Sequence, residues 1–523
     1  MKNVIYINCW VDPWVKVAQK LQEEQGYKPV WWIGYSEMDN SHNIIPSVFP
    51  EIIYQDNLAA WQGQFPKEIE EKAADYFLDI DFLRKHADQE LQAIKMMDRV
   101  DPDRHSFNFM ERQRHFRNMI KKWMVVLDLS KIDMVISTEI PHRLYDYVLF
   151  WLCKDQGIPY VMMNHTPFAG RYLMLTNDFY TIGNSFIDDW HKYEQSSDVV
   201  NLLPDDIKQY MDKVKKDYQE GAPQWMRDKS NTVFYESNAR KIYQYTKRLL
   251  LGQRNLFYLF SNKPIKELDD FSFAKKKSMK YEESYYTPLQ RSLQKYKRER
   301  YLKSLLDYYE SQTTTPDANE TYVCFFMHYQ PEATTSPAGD IFVDQRLCVE
   351  VLLNSLPHNY KVYVKEHRHQ FLANRPGQTS RMKDLYDDLL KNDRVRLIST
   401  TIDSFELMKN SKAVATVTGT VGWEAMVRKK PVIVFGLIWF ENYSKGVLRI
   451  TDEESAKDIY SFIENYKYDE HSLLAYLASF GKNTSRACFF REDNKKEIGQ
   501  TVEESANIIV GSILGQLNKC SII

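Results

Sequence analysis

Between Tyr322 and Phe435 five short apolar runs (Tyr322 to Met327, Lys361 to Lys365, Val395 to Ile398, Ala413 to Val417 and Val432 to Phe435) alternate with four segments of helical spacing. Runs that are apolar along most of their length read as strands buried on both faces, and a helix between each pair is the connection that parallel strands require. The pattern dictates a doubly wound α/β sheet. A second set of such units opens the chain. Val4 to Ile7, a helix over Trp14 to Gln25 stopped by Gly26, and Pro29 to Ile33 form one β-α-β unit. Asp133 to Thr138, a helix over Arg143 to Gln156 stopped by Gly157, and Pro159 to Met163 form another, with a charged helical insertion from Pro66 to about Leu127 between them.

A chain of 523 residues exceeds one ordinary core, since domains usually hold roughly 100–200 residues. The expected division has four parts. Residues 1–238 form a Rossmann-like domain with a helical insertion, and 239–315 a basic helical segment and linker. Residues 316–460 form a second Rossmann-like domain, and 461–523 are helices that pack back on the first.

With 43% hydrophobic, 27% charged and 14% aromatic residues the chain is globular. Its formal net charge of −2 gives no bulk field for a nucleic-acid partner. That average hides an asymmetry: residues 240–303 hold 17 Lys and Arg against 6 Asp and Glu. Tyr281, Tyr285, Tyr286, Tyr296 and Tyr301 are interleaved with these cations. Such a stretch is either a set of solvated helix faces or a surface that attracts anionic lipid. The six cysteines form no CxxC pair and read as reduced thiols. No apolar run reaches the length of a signal peptide core or a membrane span, so the expected location is cytoplasmic, either free or peripheral at the inner membrane face.

Ligands of open parallel sheets bind beyond the carboxyl ends of the strands. In the second domain these ends carry His328, Gln330 and Glu332, then Lys365, Glu366, His367 and His369, then Thr418-Gly419-Thr420-Val421-Gly422 leading into a helix. Two glycines permit close backbone approach, two hydroxyls donate, and the following helix presents unpaired amides, so the turn reads as a phosphate site or as a plain strand-helix connection. It lacks the lysine of a Walker A loop and the third glycine of a dinucleotide fingerprint. In the first domain, Glu139 and His142 follow one strand and Asn164-His165-Thr166 another. Glu139 is placed for a nucleophile or base, and His142 and His165 for acid/base work. Alternatively His142 caps the next helix and Glu139 pairs with Arg143. Asp79-Ile80-Asp81 matches a metal-binding DxD pattern, but it lies within a helical segment and reads as surface carboxylates; no metal site is expected.

The segments Tyr329-Gln-Pro-Glu-Ala-Thr-Thr335, Val364-Lys-Glu-His367 and Thr418-Gly-Thr-Val-Gly-Trp-Glu-Ala425, followed by Lys430 to Gly436, resemble the bacterial capsule polysaccharide biosynthesis family that includes the β-Kdo transferases. The resemblance covers mainly residues 320 to 450. It implies a GT-B architecture, two Rossmann-like domains facing a cleft, with the acceptor held by the N-terminal domain and a nucleotide sugar by the C-terminal one. It further implies metal-independent, retaining transfer of a 3-deoxy-ulosonic acid from CMP to a surface glycan or glycolipid, without a cofactor. The sugar would be Kdo or a nonulosonic acid such as pseudaminic or legionaminic acid. His367 and Thr418 to Thr420 would bind the CMP phosphate and Glu424 would orient the nucleotide, with His328, Gln330, Glu332, Lys365, Gly419 and Gly422 completing the donor site. His367-Arg368 stands where the family shows His-Pro, and Asn164-His165-Thr166 where it shows two acidic residues and a glycine, which leaves the nucleophile open. A UDP-sugar or CDP-glycerol-type transferase and a non-catalytic glycan assembly factor are the alternatives.

Overall fold

The computed structural model describes residues 1–99, 101, 108–179, 184–216, 287–372, 377, 380–490 and 498–520. The chain divides into two compact units, one of residues 1–93, 113–221 and 469–523, the other of 94–112 and 222–468.

In the first unit β1 (Lys2–Ile7), β2 (Tyr27–Gly34), β3 (Ile53–Asp56), β4 (Ile132–Ser137), β5 (Tyr160–His165) and β6 (Arg171–Thr176) stand in the order β6-β5-β4-β1-β2-β3. The first five run parallel, and β6 returns antiparallel beside β5. Val4, Tyr6, Trp32, Met134, Ile136 and Val161 fill one face of this sheet, with Tyr6 stacked on Trp32 at 4.6 Å.

The second unit carries β7 (Thr321–Phe326), β8 (Tyr360–Lys365), β9 (Val395–Ile398), β10 (Ala413–Thr416), β11 (Val432–Val434) and β12 (Val447–Arg449). All neighbours pair in parallel in the order β12-β11-β10-β7-β8-β9. In chain order within the unit this is the 3-2-1-4-5-6 arrangement of a Rossmann sheet, whose switch point lies between its first and fourth strands, here β7 and β10. Val323, Phe325, Val362, Val364, Leu397, Ala415 and Ile433 are buried beneath helices, which is why these strands carry no polar alternation.

After residue 469 the chain returns to the first unit. There β13 (Ser485–Arg486) adds antiparallel to β6, and the helix Val502–Lys519 packs on the helix Val11–Gln25. The α/β class with Rossmann-like units and a helical insertion (helices Lys67–Ala74, Ile80–Lys85, Ala87–Met96 and Phe109–Leu129) is therefore what the chain adopts. Four strands escaped the sequence reading. β3, β12 and β13 are four residues or fewer at or near a sheet edge, too short to show periodicity. The fourth, β6, follows a tight turn from Thr166 to Gly170, in which Thr166 Oγ1 donates to the Arg171 carbonyl at 2.8 Å and Gly170 takes φ 68°.

The basic stretch 240–303 lies outside the described residues as far as 286. Its last part opens the helix Pro288–Ser311, capped by Thr287. No helix among the described residues is long and apolar enough to cross a membrane.

Candidate functional site

In the second unit the loops after β7, β8 and β10 meet, because these three strands are neighbours. The Thr418 amide donates to His328 Nε2 at 2.9 Å, and Thr418 Oγ1 donates to the Thr334 carbonyl at 2.6 Å. This closes the switch point with hydrogen bonds. Since Nε2 accepts an amide proton, the proton of neutral His328 sits on Nδ1; burial and then the nearby Arg381 charge push its pKa down to about 4. His328 thus supports the turn from below. Gly419 is the N-cap residue of the helix Thr420–Val427, which has no side-chain cap, so its first amides carry the helix's partial positive charge without a side-chain acceptor from the cap. A Cβ on Gly419 would sit 2.6 Å from Thr416 Oγ1, and one on Gly436 2.6 Å from the Ala338 carbonyl oxygen. Close packing of backbone, rather than a positive φ, demands glycine at both positions.

Beside the turn, His367 Nδ1 accepts from the His369 amide at 3.1 Å, which leaves the proton on Nε2. Burial, then His369 and other neighbouring cationic groups, bring its pKa down to about 3. His367 is therefore a neutral hydrogen-bond donor at physiological pH. Both histidines must take up protons on unfolding in acid, so the stability they contribute is present above pH ~6.5 and lost as pH falls below it. Lys365 is buried at the end of β8 with Nζ 3.4 Å from the Thr400 carbonyl, and burial lowers its pKa.

Beneath these residues lies a buried polar lattice. Arg381 Nε pairs with Glu366, Arg381 Nη1 donates to Gln330 Oε1 at 2.5 Å, and Nη2 to the His328 carbonyl at 2.9 Å. Glu366 also accepts from Tyr386 Oη at 3.1 Å and from the His367 amide at 2.9 Å, while its own amide donates to Tyr309 Oη at 3.1 Å. Gln330 and Gln370 exchange backbone and amide bonds at 2.9 and 3.0 Å. Gln330 is thereby committed to the scaffold. Glu332 accepts from Thr334 Oγ1 at 2.9 Å within its own loop. Sequence reasoning missed Arg381, Gln370 and Tyr309: Arg381 and Tyr309 do not follow a strand of this crevice, and Gln370 follows β8 but shows its role only through its bonds to Gln330.

Glu424, one turn into the helix, is pushed up to about 7 by burial, only partly offset by Arg428. A carboxyl with a raised folded pKa stabilises the protein below its unfolded value and loses that contribution as pH rises through the folded one. Wild type is accordingly expected to lose stability between pH ~4.5 and pH 7 relative to Glu424→Gln. Thermal melts of both proteins across that range check it, and parallel curves would disprove it.

In the first unit β1 and β4 flank the equivalent switch point, and Thr138 Oγ1 donates to the Asn8 carbonyl at 2.8 Å. Glu139 sits 3.3 Å from Arg143 Nη2 and 3.4 Å from His142 Nε2, and Tyr35 Oη donates to it at 3.5 Å. Burial opposes its ionisation, yet Arg143, His142 and His165 outweigh this and hold its carboxyl below the usual range. His142 Nδ1 lies 2.7 Å from the Ile140 carbonyl, and His165 Nε2 lies 3.2 Å from the Thr138 carbonyl. The structure thus brings Glu139, His142 and His165 together. It also shows the Glu139–Arg143 pair, while Asp146 rather than His142 accepts the amides of residues 142 and 143 at the helix start. Asp79 caps the helix Ile80–Lys85 by accepting the Asp81 amide at 3.0 Å, a structural use of the DxD pattern.

Residues 344–465 match the family model described as capsule polysaccharide biosynthesis protein. No curated protein matches the chain. Solved structures similar to it include the UDP-GlcNAc 2-epimerase of Methanocaldococcus jannaschii in complex with UDP-GlcNAc and UDP, at 14% identity and TM-score 0.24, covering 92% of this chain and 98% of that one. Another is the β-Kdo 2,4 transferase of Thermosulfurimonas dismutans KpsC, at 12% identity and TM-score 0.28, covering 70% and 88%. Likeness at these scores decides nothing about donor or acceptor. The segment that matches the capsule polysaccharide biosynthesis model contains β8 to β12, His367, Arg381, the Thr418 turn and Glu424.

Proposed function

We propose that this chain is a glycosyltransferase of capsule polysaccharide synthesis that moves a 3-deoxy-ulosonic acid from a CMP donor to a glycan acceptor with retention and without a metal ion. The observation that carries the reading is the uncapped helix at Thr420, set by the Thr418–Gly419 turn at the sheet's switch point beside the neutral donor His367. Amides of the helix and the His367 Nε2–H hydrogen-bond the phosphate, and Lys365 adds positive charge nearby. Glu424, which titrates near neutrality, is suited to the hydroxyl groups of the nucleoside. When the bond between the sugar's anomeric carbon and the phosphate oxygen breaks, CMP leaves with the electron pair. In the first unit Glu139 is held ionised, which suits a nucleophile better than a general base.

A thermal-shift series with CMP, UDP and CDP tests the donor class. Stabilisation by CMP, unaffected by EDTA, is expected; stabilisation by UDP alone would overturn the CMP reading in favour of a UDP-sugar transferase, and by CDP alone in favour of a CDP-glycerol type. Mass spectrometry of enzyme incubated with CMP-Kdo tests the nucleophile. A sugar adduct that Glu139→Gln removes is expected, and an adduct that survives the substitution would dismiss Glu139.

A further inference from the structure

The helix Pro288–Ser311 is apolar on two opposite faces. Leu302, Leu305 and Tyr309 are buried in the second unit on one face, while Leu289, Leu293 and Tyr296 point the other way, 39%, 51% and 55% exposed. At 100° per residue these three fall within about 60° of each other, nearly opposite the buried set. Exposed Lys297, Arg300 and Lys303 flank them on the same outward side, and the Arg300 guanidinium lies 5.8 Å from the Tyr296 ring centroid. An outward strip of leucine, tyrosine and cations is the composition of a helix that lies in a lipid interface, with apolar groups among the acyl chains and cations at anionic headgroups.

The inner face of the same helix ties it to the donor crevice. Tyr301 Oη donates to the Arg381 carbonyl at 2.9 Å, and Tyr309 Oη donates to the Ile398 carbonyl at 2.6 Å and accepts the Glu366 amide. We propose that the outward face of the helix Pro288–Ser311 docks on an anionic lipid surface and so holds the second unit at the membrane. Charge complementarity selects this occupant: residues 287–303 hold six Lys and Arg against one Glu in a chain whose net charge is −2. The inference is independent of which nucleotide the crevice binds.

Co-sedimentation of the full chain with phosphatidylglycerol–phosphatidylcholine vesicles, against phosphatidylcholine alone, tests it. Binding to the anionic vesicles alone, weakened by added salt, is expected. Each cation at the surface contributes about fivefold to partitioning, so Lys297→Glu/Arg300→Glu/Lys303→Glu is expected to lose on the order of a hundredfold or more. Leu293→Ser/Tyr296→Ser is expected to lose binding without changing the melting temperature, since both residues are exposed. No binding to anionic vesicles, or binding that both variants retain, would overturn the proposal. So would loss of self-association in Leu293→Ser/Tyr296→Ser by sedimentation velocity without lipid, which would assign the face to a second copy of the chain.

Discussion

Gly419→Ala is expected to reduce CMP-dependent kcat/KM by about a hundredfold, the cost of displacing a phosphate-binding turn by a fraction of an ångström to an ångström. The added methyl group would meet Thr416 Oγ1 at 2.6 Å, and that hydroxyl is confined between the Phe326 carbonyl at 3.3 Å and His328 Nε2 at 3.1 Å. Thr416 cannot rotate away without abandoning those partners, so the turn must give. The amides of Thr420 and Val421 would move with it, and they are the groups proposed to bind the phosphate. The double variant Thr416→Ala/Gly419→Ala removes the colliding hydroxyl and is expected to recover part of the loss. Steady-state kinetics and CMP titration check both. A Gly419→Ala enzyme that binds CMP like the parent would mean that the Thr418 turn does not hold the phosphate.

Arg381→Leu is expected to destabilise the second unit by about 3–5 kcal/mol, because it leaves the Glu366 carboxylate buried without its cation. Glu366 is 1% exposed and Arg381 2%, so water cannot substitute for either partner. The loss also strips donors from the Gln330 side chain and the His328 carbonyl, and unsatisfied buried acceptors add to the cost. Replacing both charges, as in Glu366→Leu/Arg381→Met, is expected to restore most of the stability, since an apolar pair of similar volume often replaces a buried ion pair at little cost. Donor binding should stay impaired in the double variant, because Glu366 also accepts the His367 amide that orients the ring. Scanning calorimetry with CMP titration separates the two effects. Equal destabilisation in the single and double variants would show that the pair's charge is not what matters.

The meeting of three strand ends in the second unit was legible from the sequence because strand ends converge by rule. Once β7, β8 and β10 are recognised as parallel strands, their carboxyl ends lie on one edge, and His328, His367 and Thr418 must lie near one another. The roles of individual side chains were not legible. His328 and His367 look alike as residues after strands, yet one accepts the Thr418 amide and buttresses the turn, while the other keeps a free Nε2–H. Likewise Glu332 and Glu424 are two carboxylates near the same edge, of which one bonds within its loop and the other is half-buried and pushed up toward 7.

The first unit makes the same point through Glu139. Its position after β4 marked it for attention, and its pairing with Arg143 was open from the i,i+4 spacing alone. That Tyr35, His142 and His165 also converge on it depends on β5, β4, β1 and β2 ending along one sheet edge, a long-range arrangement that no local pattern encodes.

What the sequence by itself determined is the two sets of parallel strands and the edge on which their loops gather, because apolar runs alternating with helices admit few other folds and crossover handedness then places the loops. Only the tertiary structure decided which polar residues serve the scaffold and which remain free for chemistry. Protonation and hydrogen-bond commitment are set by burial and by partners such as Arg381 and Tyr309, which arrive from distant parts of the chain.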